Sequence, residues 1–595
     1  MDRPSLKDLG GAPKQASAWL DRPGVNTWAE KLALAAQDRP SVNTWAEPLT
    51  KCKRLSRGVK HTPFYSFRSL EENMPGGLSV LIAYGSQNVI LSGNPQMTYF
   101  YKVFKKYSHF SMENITIPLE GENELKRDVG IKLRANIPRN ADLLSDLVFT
   151  FTLPDIYSKY AAGRSSQWQF QWTRYIGAAI INNAAFFIGG QKIQEFDGTY
   201  LLSRALLDYD QDKFYKWQNL VGDVPELVDP ANGKYASQQY QPTLSLPGQT
   251  TPAGYPNVMY NTTPTGNVQL NRPSIMGTEI NIPLSFWFSE SPSQSLPLVG
   301  LQLHQCEVQL TLNPINTLYT ILDPSGYRVN PEFITKAPVS SLQMNMPSYG
   351  TNSDANGNLR NFLTDFGSSV PAFDGWQTFN PRLQASYIFL PKEEETVFAT
   401  RPLSYIIKQV TMYPNRGLSG RSVVDLETHN PITRLIVIPR RSDWENRNDF
   451  SNYTNWFSHP IPPFVPTPGV SVPNQGSGLL VANMQEDILA GMQVLCDGNG
   501  IQERKNISFF EKYSLYQYTV GTGEKGLSIY SFQLDNSPTQ PSGSINASRI
   551  RNFQVDLDLY ALPTGANYNY DVDIYVESLN FLEIVSGMGG VKYAL

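Results

Sequence analysis

Few residues of this 595-residue chain have the types and spacing that catalysis or metal binding requires. Its five histidines are dispersed, and none forms an H-x-H or H-x-x-x-H pair. Metal sites usually draw on ligands at short, regular spacings, so no metal is expected here. Cys306 lies two residues after His304, which would place both on one strand face. We interpret them as a buried, inert pair and not as a nucleophile with its base.

Other candidate motifs are equally weak. The GTGEKG segment at 521–526 lacks the GxxxxGK[ST] spacing of a phosphate-binding loop, and SGMGG at 586–590 is typical of a tight turn. Asp571 and Asp573 share a strand face that could bind Ca²⁺, but a solvated face is the better interpretation. Glu393–Glu395 is expected to be a solvated turn. The sequence therefore predicts no catalytic residue, no metal and no cofactor.

Composition narrows the class of protein. Charged residues make up only 17% of the chain, and aromatic residues reach 12%, with 31 tyrosines. Interfaces are depleted of charge and rich in tyrosine, so either much of the surface is buried between molecules or the β core is unusually aromatic. The three cysteines are far apart, which argues against a disulfide framework and favours a reducing compartment. Neither a signal peptide nor a membrane-spanning run is evident.

The elements that would position any site occur twice. FFIGGQKIQE at 186–195 is echoed by VLCDGNGIQE at 494–503, and CEVQLTL at 306–312 is echoed by FQVDLDL at 553–559. SESPSQ at 289–294 and DNSPTQ at 535–540 keep the same order. Alternating apolar residues make several of these segments half-buried strands. The pattern predicts two tandem copies of one all-β domain, which is more often a building block than an enzyme.

Residues 1–77 form a distinct extension. DRPGVNTWAE at 21–30 recurs as DRPSVNTWAE at 38–47, a period of 17 residues that is too short to enclose a core. A basic run follows at 51–61 without an acidic residue. We expect this arm to contact neighbouring or underlying proteins through Trp19, Trp28, Trp45, Lys51, Lys53, Arg54, Arg57 and Lys60. The run is too short for specific nucleic-acid binding, so a protein or a membrane surface is the favoured anionic partner.

The rest of the chain divides into a first β unit at 78–335, a connection at 336–378 and a second unit at 379–595. Between the echoed segments the first unit is longer by about 60 residues, as counted from the sequence, which places a long loop near 208–272. This loop is rich in Pro, Gly, Asn and Thr, which suits exposed backbone. We expect it on the exterior, with contacts from Tyr235, Tyr240, Tyr255, Tyr260 and Asn261.

Four motifs carry a family resemblance. SGNPQMTYFYKVFKKYSHFSMENITIPLEG at 92–121, with Gly93, Asn94, Pro95 and Gln96 in its predicted first strand, resembles the major capsid proteins of large icosahedral nucleocytoplasmic DNA viruses. IPLSFWFSESPSQSLPLVGLQLHQCEVQL at 282–310, QPSGSINASRIRNF at 540–553 and SGMGGVKY at 586–593 resemble further signatures of that family.

The resemblance implies an all-β fold of two tandem eight-stranded jelly rolls. It further implies a homotrimeric, pseudo-hexameric capsomer that tiles an icosahedral shell, assembled in the host cytoplasm with minor capsid or scaffold proteins above an inner membrane. A minor or vertex capsid protein of the same fold remains an alternative, and so does a jelly-roll protein that binds a glycan or receptor. A jelly-roll enzyme is disfavoured, because no acid–base pair or histidine cluster is evident.

Overall fold

The computed structural model describes the chain in twelve stretches. They are residues 89–102, 104–157, 169–228, 273, 275–322, 328–331, 358–363, 375–456, 485–536, 540–563, 566 and 568–593. The chain forms two compact units, Met1–Lys105 and Lys106–Leu595. In the first unit the described structure consists of a short helix, α1 (Val89–Ser92), and the irregular segment after it.

All described strands belong to the second unit. Those of its N-terminal half are β1 (Ser111–Pro118), β2 (Glu120–Gly121), β3 (Leu125–Lys126), β4 (Ile131–Asn136), β5 (Leu143–Thr152), β6 (Gln169–Trp172), β7 (Ile181–Ile188), β8 (Gln191–Phe196), β9 (Glu279–Pro283), β10 (Leu296–Pro297), β11 (Cys306–Leu312), β12 (Tyr319–Leu322), β13 (Arg328–Val329), β14 (Gly375–Trp376) and β15 (Arg382–Phe389). Those of its C-terminal half are β16 (Leu403–Leu418), β17 (Ser422–Asp425), β18 (Pro431–Arg441), β19 (Leu489–Cys496), β20 (Asn499–Asn506), β21 (Ser528–Ser531), β22 (Ile545–Asn546), β23 (Phe553–Leu559), β24 (Tyr570–Val585) and β25 (Met588–Val591).

Helical elements lie mostly in the connections. The α-helices of the second unit are α2 (Ile176–Ala179), α3 (Gly198–Asp208), α4 (Gln211–Val221), α5 (Pro225–Val228), α6 (Lys392–Thr400) and α7 (Ser514–Tyr518). A π-helical turn spans Phe509–Tyr513. Short 3-10 turns occupy Trp287–Ser289, Pro292–Gln294, Leu298–Gly300, Ile315–Thr317, Leu359–Asn361, Trp444–Arg447 and Ala547–Arg549.

The strands build the same sandwich twice. In the first half, one sheet has the order β1-β15-β5 with β9 and β10 both paired with β5, and the facing sheet has the order β2-β4-β11-β7-β8. In the second half the orders are β16-β24-β18-β21 and β17-β23-β19-β20. Eight strands of the first half therefore have counterparts at the same place in the second, and they are β1, β4, β5, β7, β8, β9, β11 and β15. Eight strands in two sheets with these long-range pairings are a jelly roll, so the prediction of two tandem jelly rolls is confirmed.

The sequence echoes fall on equivalent elements. FFIGGQKIQE lies on the β7–β8 hairpin and VLCDGNGIQE on the β19–β20 hairpin. Both turns have two residues with positive φ, Gly189–Gly190 in the first and Asp497–Gly498 in the second. A two-residue turn of this kind matches the right-handed twist of the flanking strands. The echoed CEVQLTL and FQVDLDL are β11, which lies between β4 and β7, and β23, which lies between β17 and β19.

Several predicted boundaries differ from the observed ones. β15 lies within the range 379–595 predicted for the second unit, but it pairs with β1 and β5 of the first jelly roll. The change of jelly roll therefore comes after Phe389. The predicted loop near 208–272 begins with helices α4 and α5, because Asp210 caps α4 and Gly222 ends it. Glu393–Glu395 is the first turn of α6 and not a turn between elements.

The apolar cluster of the first jelly roll extends onto one sheet of the second, and the second jelly roll has a separate cluster of its own. Each jelly roll has a buried interior, and strand β18 is buried along almost its whole length. Leu435 and Val437 point into the second jelly roll, whereas Ile436 and Ile438 pack against the apolar cluster of the first. Because successive side chains of a strand face opposite sides, one sheet of the second jelly roll fills its own core and also covers the first.

Candidate functional site at the interface between the two jelly rolls

Helix α3 is the main element between the two jelly rolls. It follows β8 directly, and every residue from Gly198 to Leu207 is buried. Asp197 caps its N-terminus, since the carboxylate accepts a hydrogen bond of 2.8 Å from the Tyr200 N–H. The helix is apolar on all sides apart from a few polar groups that have specific partners. A helix of this kind is stable only when protein surrounds it, and here both halves of the chain supply that surrounding.

The C-terminal end of α3 is capped by the second jelly roll. The N–H groups of Gly521 and Gly523 donate to the carbonyl oxygens of Leu207 and Leu206, at 2.8 and 3.0 Å. A Cβ atom at Gly521 would lie 2.1 Å from the Leu206 oxygen, so only glycine allows this approach. The GTGEKG segment, which lacks the spacing of a phosphate-binding loop, is therefore a backbone cap for α3.

A buried ionic cluster joins α3 to the sheet below it. The guanidinium of Arg434 on β18 donates to Glu577 on β24 at 2.6 and 3.0 Å. It also donates to Asp208, the last residue of α3, at 2.8 and 3.2 Å. Arg434 is 1% exposed and Glu577 is fully buried. One arginine thus binds one carboxylate from each jelly roll, each through two hydrogen bonds.

Other polar groups complete this cluster. The Tyr200 hydroxyl of α3 donates to Glu577 at 2.9 Å. Arg204 pairs with Glu290 at 2.6 Å and donates to the Ser285 carbonyl at 3.0 Å, which ties α3 to the connection after β9. The Asn536 amide donates to Asp208 and accepts from Lys408 at 2.9 Å. Satisfied polar networks of this sort fix one arrangement of the elements that carry them.

The pKa values follow from burial and these partners. Burial alone would raise the pKa of the Asp208 carboxyl, but Arg434 outweighs that effect and holds the pKa at about 2. For Glu577 burial likewise acts upward, and Arg434 and Lys408 lower the pKa below its usual value. Burial raises the pKa of Asp197, although the hydroxyl of Tyr575 donates to it at 2.7 Å. The Asp208 and Glu577 carboxylates that contact Arg434 are therefore ionised at neutral pH.

A second contact comes from the loop after β18. Asn448, with φ of 50°, donates to the carbonyl oxygens of Asn316 and Tyr319 at 2.6 and 2.7 Å. Asparagine tolerates the left-handed conformation better than most residues do. Arg440 donates to the Thr199 hydroxyl at 3.2 Å, which brings the same loop region to α3.

A third contact involves the C-terminal hairpin. The Leu303 N–H donates to the Gly587 carbonyl at 2.9 Å, and His304 Nδ1 lies 3.0 Å from the Gly589 carbonyl oxygen. The Gln409 amide of β16 donates to the Ile193 carbonyl of β8 at 2.7 Å. Beside this last contact, an open groove of about 580 Å³ runs between β8 and β16. The three contacts together hold the two jelly rolls as one block.

The residues considered for chemistry have structural roles. Burial raises the pKa of the Cys306 thiol to about 12, so it stays protonated, and the His304 nitrogen is turned toward Gly589. Asp573 pairs with Arg416, and Asp571 accepts from the Gly417 N–H at 2.9 Å. The two carboxylates are thus engaged by β16 and do not form a solvated face.

The described residues contain neither a metal-binding cluster nor a membrane-spanning helix. Among them, no group of three or more His, Cys, Asp or Glu side chains is arranged to hold a metal ion. In the same part of the chain, no helix is long and apolar enough to cross a membrane.

Most of the binding residues predicted from sequence lie outside the described residues. The arm residues Trp19, Trp28, Trp45, Lys51, Lys53, Arg54, Arg57 and Lys60 lie outside the described residues, as do Tyr235, Tyr240, Tyr255, Tyr260 and Asn261. Gly93, Asn94, Pro95 and Gln96 are described and exposed. They lie between α1 and β1, not in the strand that the resemblance indicated, and Asn94 has a positive φ.

The interface residues were not found by sequence reasoning. Arg434 and Glu577 are 143 positions apart, and nothing in their local sequence pairs them. One feature of the sequence does indicate buried charge in this region. The segment PITRLIVIPRR at 431–441 places arginines inside an apolar run, which is typical of a strand buried on both faces with ionic partners.

Comparison with known proteins matches both halves of the chain. Residues 98–346 match the family model described as the major capsid protein N-terminus. Residues 394–590 match the model described as the large eukaryotic DNA virus major capsid protein. The major capsid protein of Phaeocystis pouchetii virus is 24% identical over 588 residues, with 88% of this chain and 100% of the relative covered. The major capsid protein of Paramecium bursaria Chlorella virus 1 is 24% identical over 551 residues, with the same coverage.

Solved structures share the fold. The capsid of PBCV-1 covers 84% of this chain and 100% of its own, with a TM-score of 0.54 and 20% identity. The Faustovirus major capsid protein covers 84% of this chain and 94% of its own, with a TM-score of 0.53 and 13% identity. At these identities the likeness establishes the double jelly roll.

Proposed function

Because this chain belongs to the major capsid protein family of large eukaryotic DNA viruses, we propose that it is the structural subunit of a virus shell. The observation that carries this function is the fusion of two equivalent jelly rolls through buried contacts. A shell subunit has to keep its shape under lateral load, and a packed interior resists deformation. The α3 interface makes the two sandwiches one rigid piece, so that both can serve as walls of a tile.

The proposed assembly unit is a homotrimer. Two similar walls per chain give three chains six similar walls, so a closed ring of three copies has a pseudo-hexagonal outline. Such a capsomer can fill hexagonal positions of an icosahedral lattice. The low charged fraction of 17% supports surfaces that are buried between molecules. The role is structural, and no catalytic activity is proposed.

The arm and the long loop have separate roles in this proposal. Residues 1–77 carry 12 Lys and Arg against 8 Asp and Glu, and they have too few apolar residues to fold alone. We assign Trp19, Trp28, Trp45 and the basic run to contacts with neighbouring capsomers, minor capsid or scaffold proteins, or an inner membrane surface. The loop that follows α5 is assigned to the outer face, and assembly is assigned to the host cytoplasm.

The first experiment measures the purified full-length chain. Light scattering should give about three times the chain mass of 66.7 kDa, and electron microscopy should show threefold particles with a hexagonal outline. A stable monomer at all working concentrations would contradict the trimer. Copy number in purified particles separates the bulk shell subunit from a minor or vertex protein of the same fold.

The second experiment deletes residues 1–77. The trimer should keep its melting temperature, and the yield of assembled particles should fall, because the arm has no core of its own. Protease treatment of intact particles should cut within 230–270 and spare 1–77. Aggregation of the truncated chain would show instead that the arm belongs to the subunit core.

A further inference from the structure

An aromatic and basic segment precedes the first strand. It comprises the described residues 99–102 and 104–110 and is called here the aromatic segment. Its described aromatic side chains are 54–97% exposed, and they are Tyr99, Phe100, Tyr101, Phe104, Tyr107 and Phe110. Exposed aromatic surface on this scale marks an interaction site. The segment also carries Lys102, Lys105 and Lys106, and the chain has no Asp or Glu between Glu72 and Glu113.

The position of the C-terminal end of this segment, Lys106–Phe110, follows from strand pairing. Ser111, the first residue of β1, pairs with Phe389, the last residue of β15. Helix α6 begins three residues later, at Lys392. The chain therefore enters β1 at the same end of the first jelly roll from which α6 leaves β15. Lys106–Phe110 and α6 belong to the same compact unit and lie at the same level of it.

Helix α6 carries charge of the opposite sign in its first turn. None of its nine residues is buried, and this turn carries Glu393, Glu394 and Glu395, of which Glu395 pairs with Lys392 at 2.8 Å. Val397 on this helix is 40% exposed. The turn between β24 and β25 lies at the same end, because Gly300 contacts both α6 and Ile584 of β24. This turn adds the exposed apolar side chains of Val585 and Met588. An acidic helix with an apolar neighbour complements a basic, aromatic peptide.

We infer that the aromatic segment of one copy binds helix α6 of the adjacent copy in the trimer, an inference that rests on the proposed function. In a closed ring each contact joins two different patches, so both must lie at one level of the subunit. The part of the segment within the second unit, Lys106–Phe110, meets that condition together with α6. Burying six aromatic side chains removes on the order of 1,000 Å² from water, which is comparable to one side of a standard protein interface.

A lipid surface suits the segment less well. Lys106–Phe110 has no helical structure, and the aromatic positions 99, 100, 101, 104, 107 and 110 follow no single strand or helix face. Binding in a membrane interface requires one apolar face, and anionic lipid recognition usually draws on 4–8 clustered basic residues. The segment has three lysines, and its aromatic residues do not share one face. This arrangement suits a contact between two protein subunits better than a membrane surface.

The test is a charge exchange in the full-length chain. One variant carries Lys102→Glu, Lys105→Glu and Lys106→Glu, and the other carries Glu393→Lys and Glu394→Lys. Each should raise the concentration at which half of the trimer dissociates by about tenfold, and the combined variant should recover most of that loss. A control with the same charge change places Lys132→Glu, Lys216→Glu and Lys512→Glu on exposed residues elsewhere. This control should leave dissociation unchanged.

Cross-linking identifies the partner directly. Two chains that lack Cys52 and Cys496 are co-expressed, one with His109→Cys and the other with Thr396→Cys. A disulfide between them can only join different copies, and its formation supports the inference. The melting temperature of each variant tests whether it is folded. The substituted lysines, Glu393, His109 and Thr396 are exposed, and Glu394 is half-buried.

The possible failures are distinguishable. If the unmodified chain forms no trimer, the proposed function fails. If a trimer forms but neither charge variant weakens it and no cross-link appears, the inference is overturned and the proposed function stands. Flotation of the trimer with phosphatidylserine vesicles, abolished by the Lys102, Lys105 and Lys106 substitutions, would assign the segment to lipid and overturn the inference as well.

Discussion

The two jelly rolls differ most in one equivalent connection. In the first, the chain between β8 and β9 spans 197–278 and contains α3, α4 and α5. In the second, the chain between β20 and β21 spans only 507–527 and contains a π-helical turn, α7 and the glycine loop. These two connections contact each other, because Gly521 and Gly523 cap α3. The sheets have kept one topology in both halves, whereas the connections have diverged to join them.

Buried charge follows the same asymmetry. Strands β18 and β24 of the second jelly roll bury Arg434, Arg440 and Glu577. Their counterparts β5 and β15 have no buried charged side chain along their whole described length. Burying an ion pair costs desolvation energy that its attraction only partly offsets, so an apolar interface would be at least as stable. The charges are therefore best understood as fixing the position of α3. Matched substitutions in the two jelly rolls test this interpretation.

The largest effect is expected at the buried arginine. Arg434→Met leaves Glu577 and Asp208 buried without a counter-charge, and it should lower the free energy of unfolding by about 3–5 kcal/mol. The measurement is urea unfolding of the full chain. Arg134→Met is the matched control in the first jelly roll, because Arg134 forms an exposed pair with Glu307. That control should not change the unfolding midpoint measurably.

A combined variant separates the effect of unpaired buried charge from the effect of the altered side-chain shape. Adding Glu577→Gln and Asp208→Asn to Arg434→Met removes the uncompensated carboxylates and should recover part of the lost stability. If Arg434→Met and Arg134→Met have equal effects, the cluster does not distinguish the two jelly rolls in the way described.

The sequence could predict the duplication but not the interface. Repeated turns and alternating strands are local signals, so the β7–β8 and β19–β20 hairpins were recognisable as copies. β15 has no echo in its counterpart β24, and it was therefore placed in the wrong half. The partners of Arg434 come from positions 208 and 577, and only tertiary packing brings them together. The periodicity of apolar residues shows which strands are buried. It does not show which buried charged side chains form ion pairs with one another.

The second prediction concerns the cap of α3. Gly521→Ala places a methyl group 2.1 Å from the Leu206 oxygen and 2.8 Å from the Leu206 carbonyl carbon, so the loop must move away from the helix. The loss of two hydrogen bonds and the backbone shift should cost about 2–4 kcal/mol of stability. Gly590→Ala is the control, since its new Cβ meets only the flexible Gln191 side chain at 3.1 Å. Equal melting temperatures for both variants would contradict the capping role.

The third prediction uses pH at the same junction. Burial raises the pKa of Glu524 to about 7, with Arg174 opposing the shift and Asp223 adding to it. Between pH 4.5 and about 7 the folded chain keeps a proton on Glu524, whereas the unfolded chain, with an ordinary pKa of 4.5, has released it. Stability contributed by this group is present at low pH and is lost as the pH rises from about 4.5 to about 7.

Glu524→Gln should remove that dependence. The unmodified chain should lose about 2 kcal/mol more than the variant between pH 5 and pH 8, as measured by urea unfolding at each pH. Glu503→Gln, at an exposed position of β20, is the matched control for loss of one carboxylate. A pH profile of Glu524→Gln that is parallel to that of the unmodified chain would show that the carboxylate is already well solvated.

The smallest effects are expected in the duplicated hairpins, where the two halves should behave alike at one position and differently at the next. Gly190 and Gly498 have φ of 83° and 79°, and a Cβ at either would have no atom within 4 Å. Alanine at either position should therefore lower stability by the same amount, about 1 kcal/mol, from backbone strain alone.

The two hairpins differ at the preceding position. Asp497 accepts hydrogen bonds from two N–H groups, at 2.9 and 3.0 Å, whereas a Cβ at Gly189 would lie 2.6 Å from the His304 ring. Gly189→Asp should thus destabilise the first hairpin even though aspartate is native in the second, because His304 is held there by the C-terminal hairpin. If Gly189→Asp proves neutral, the His304 contact is not a fixed part of the junction, and the two hairpins are interchangeable.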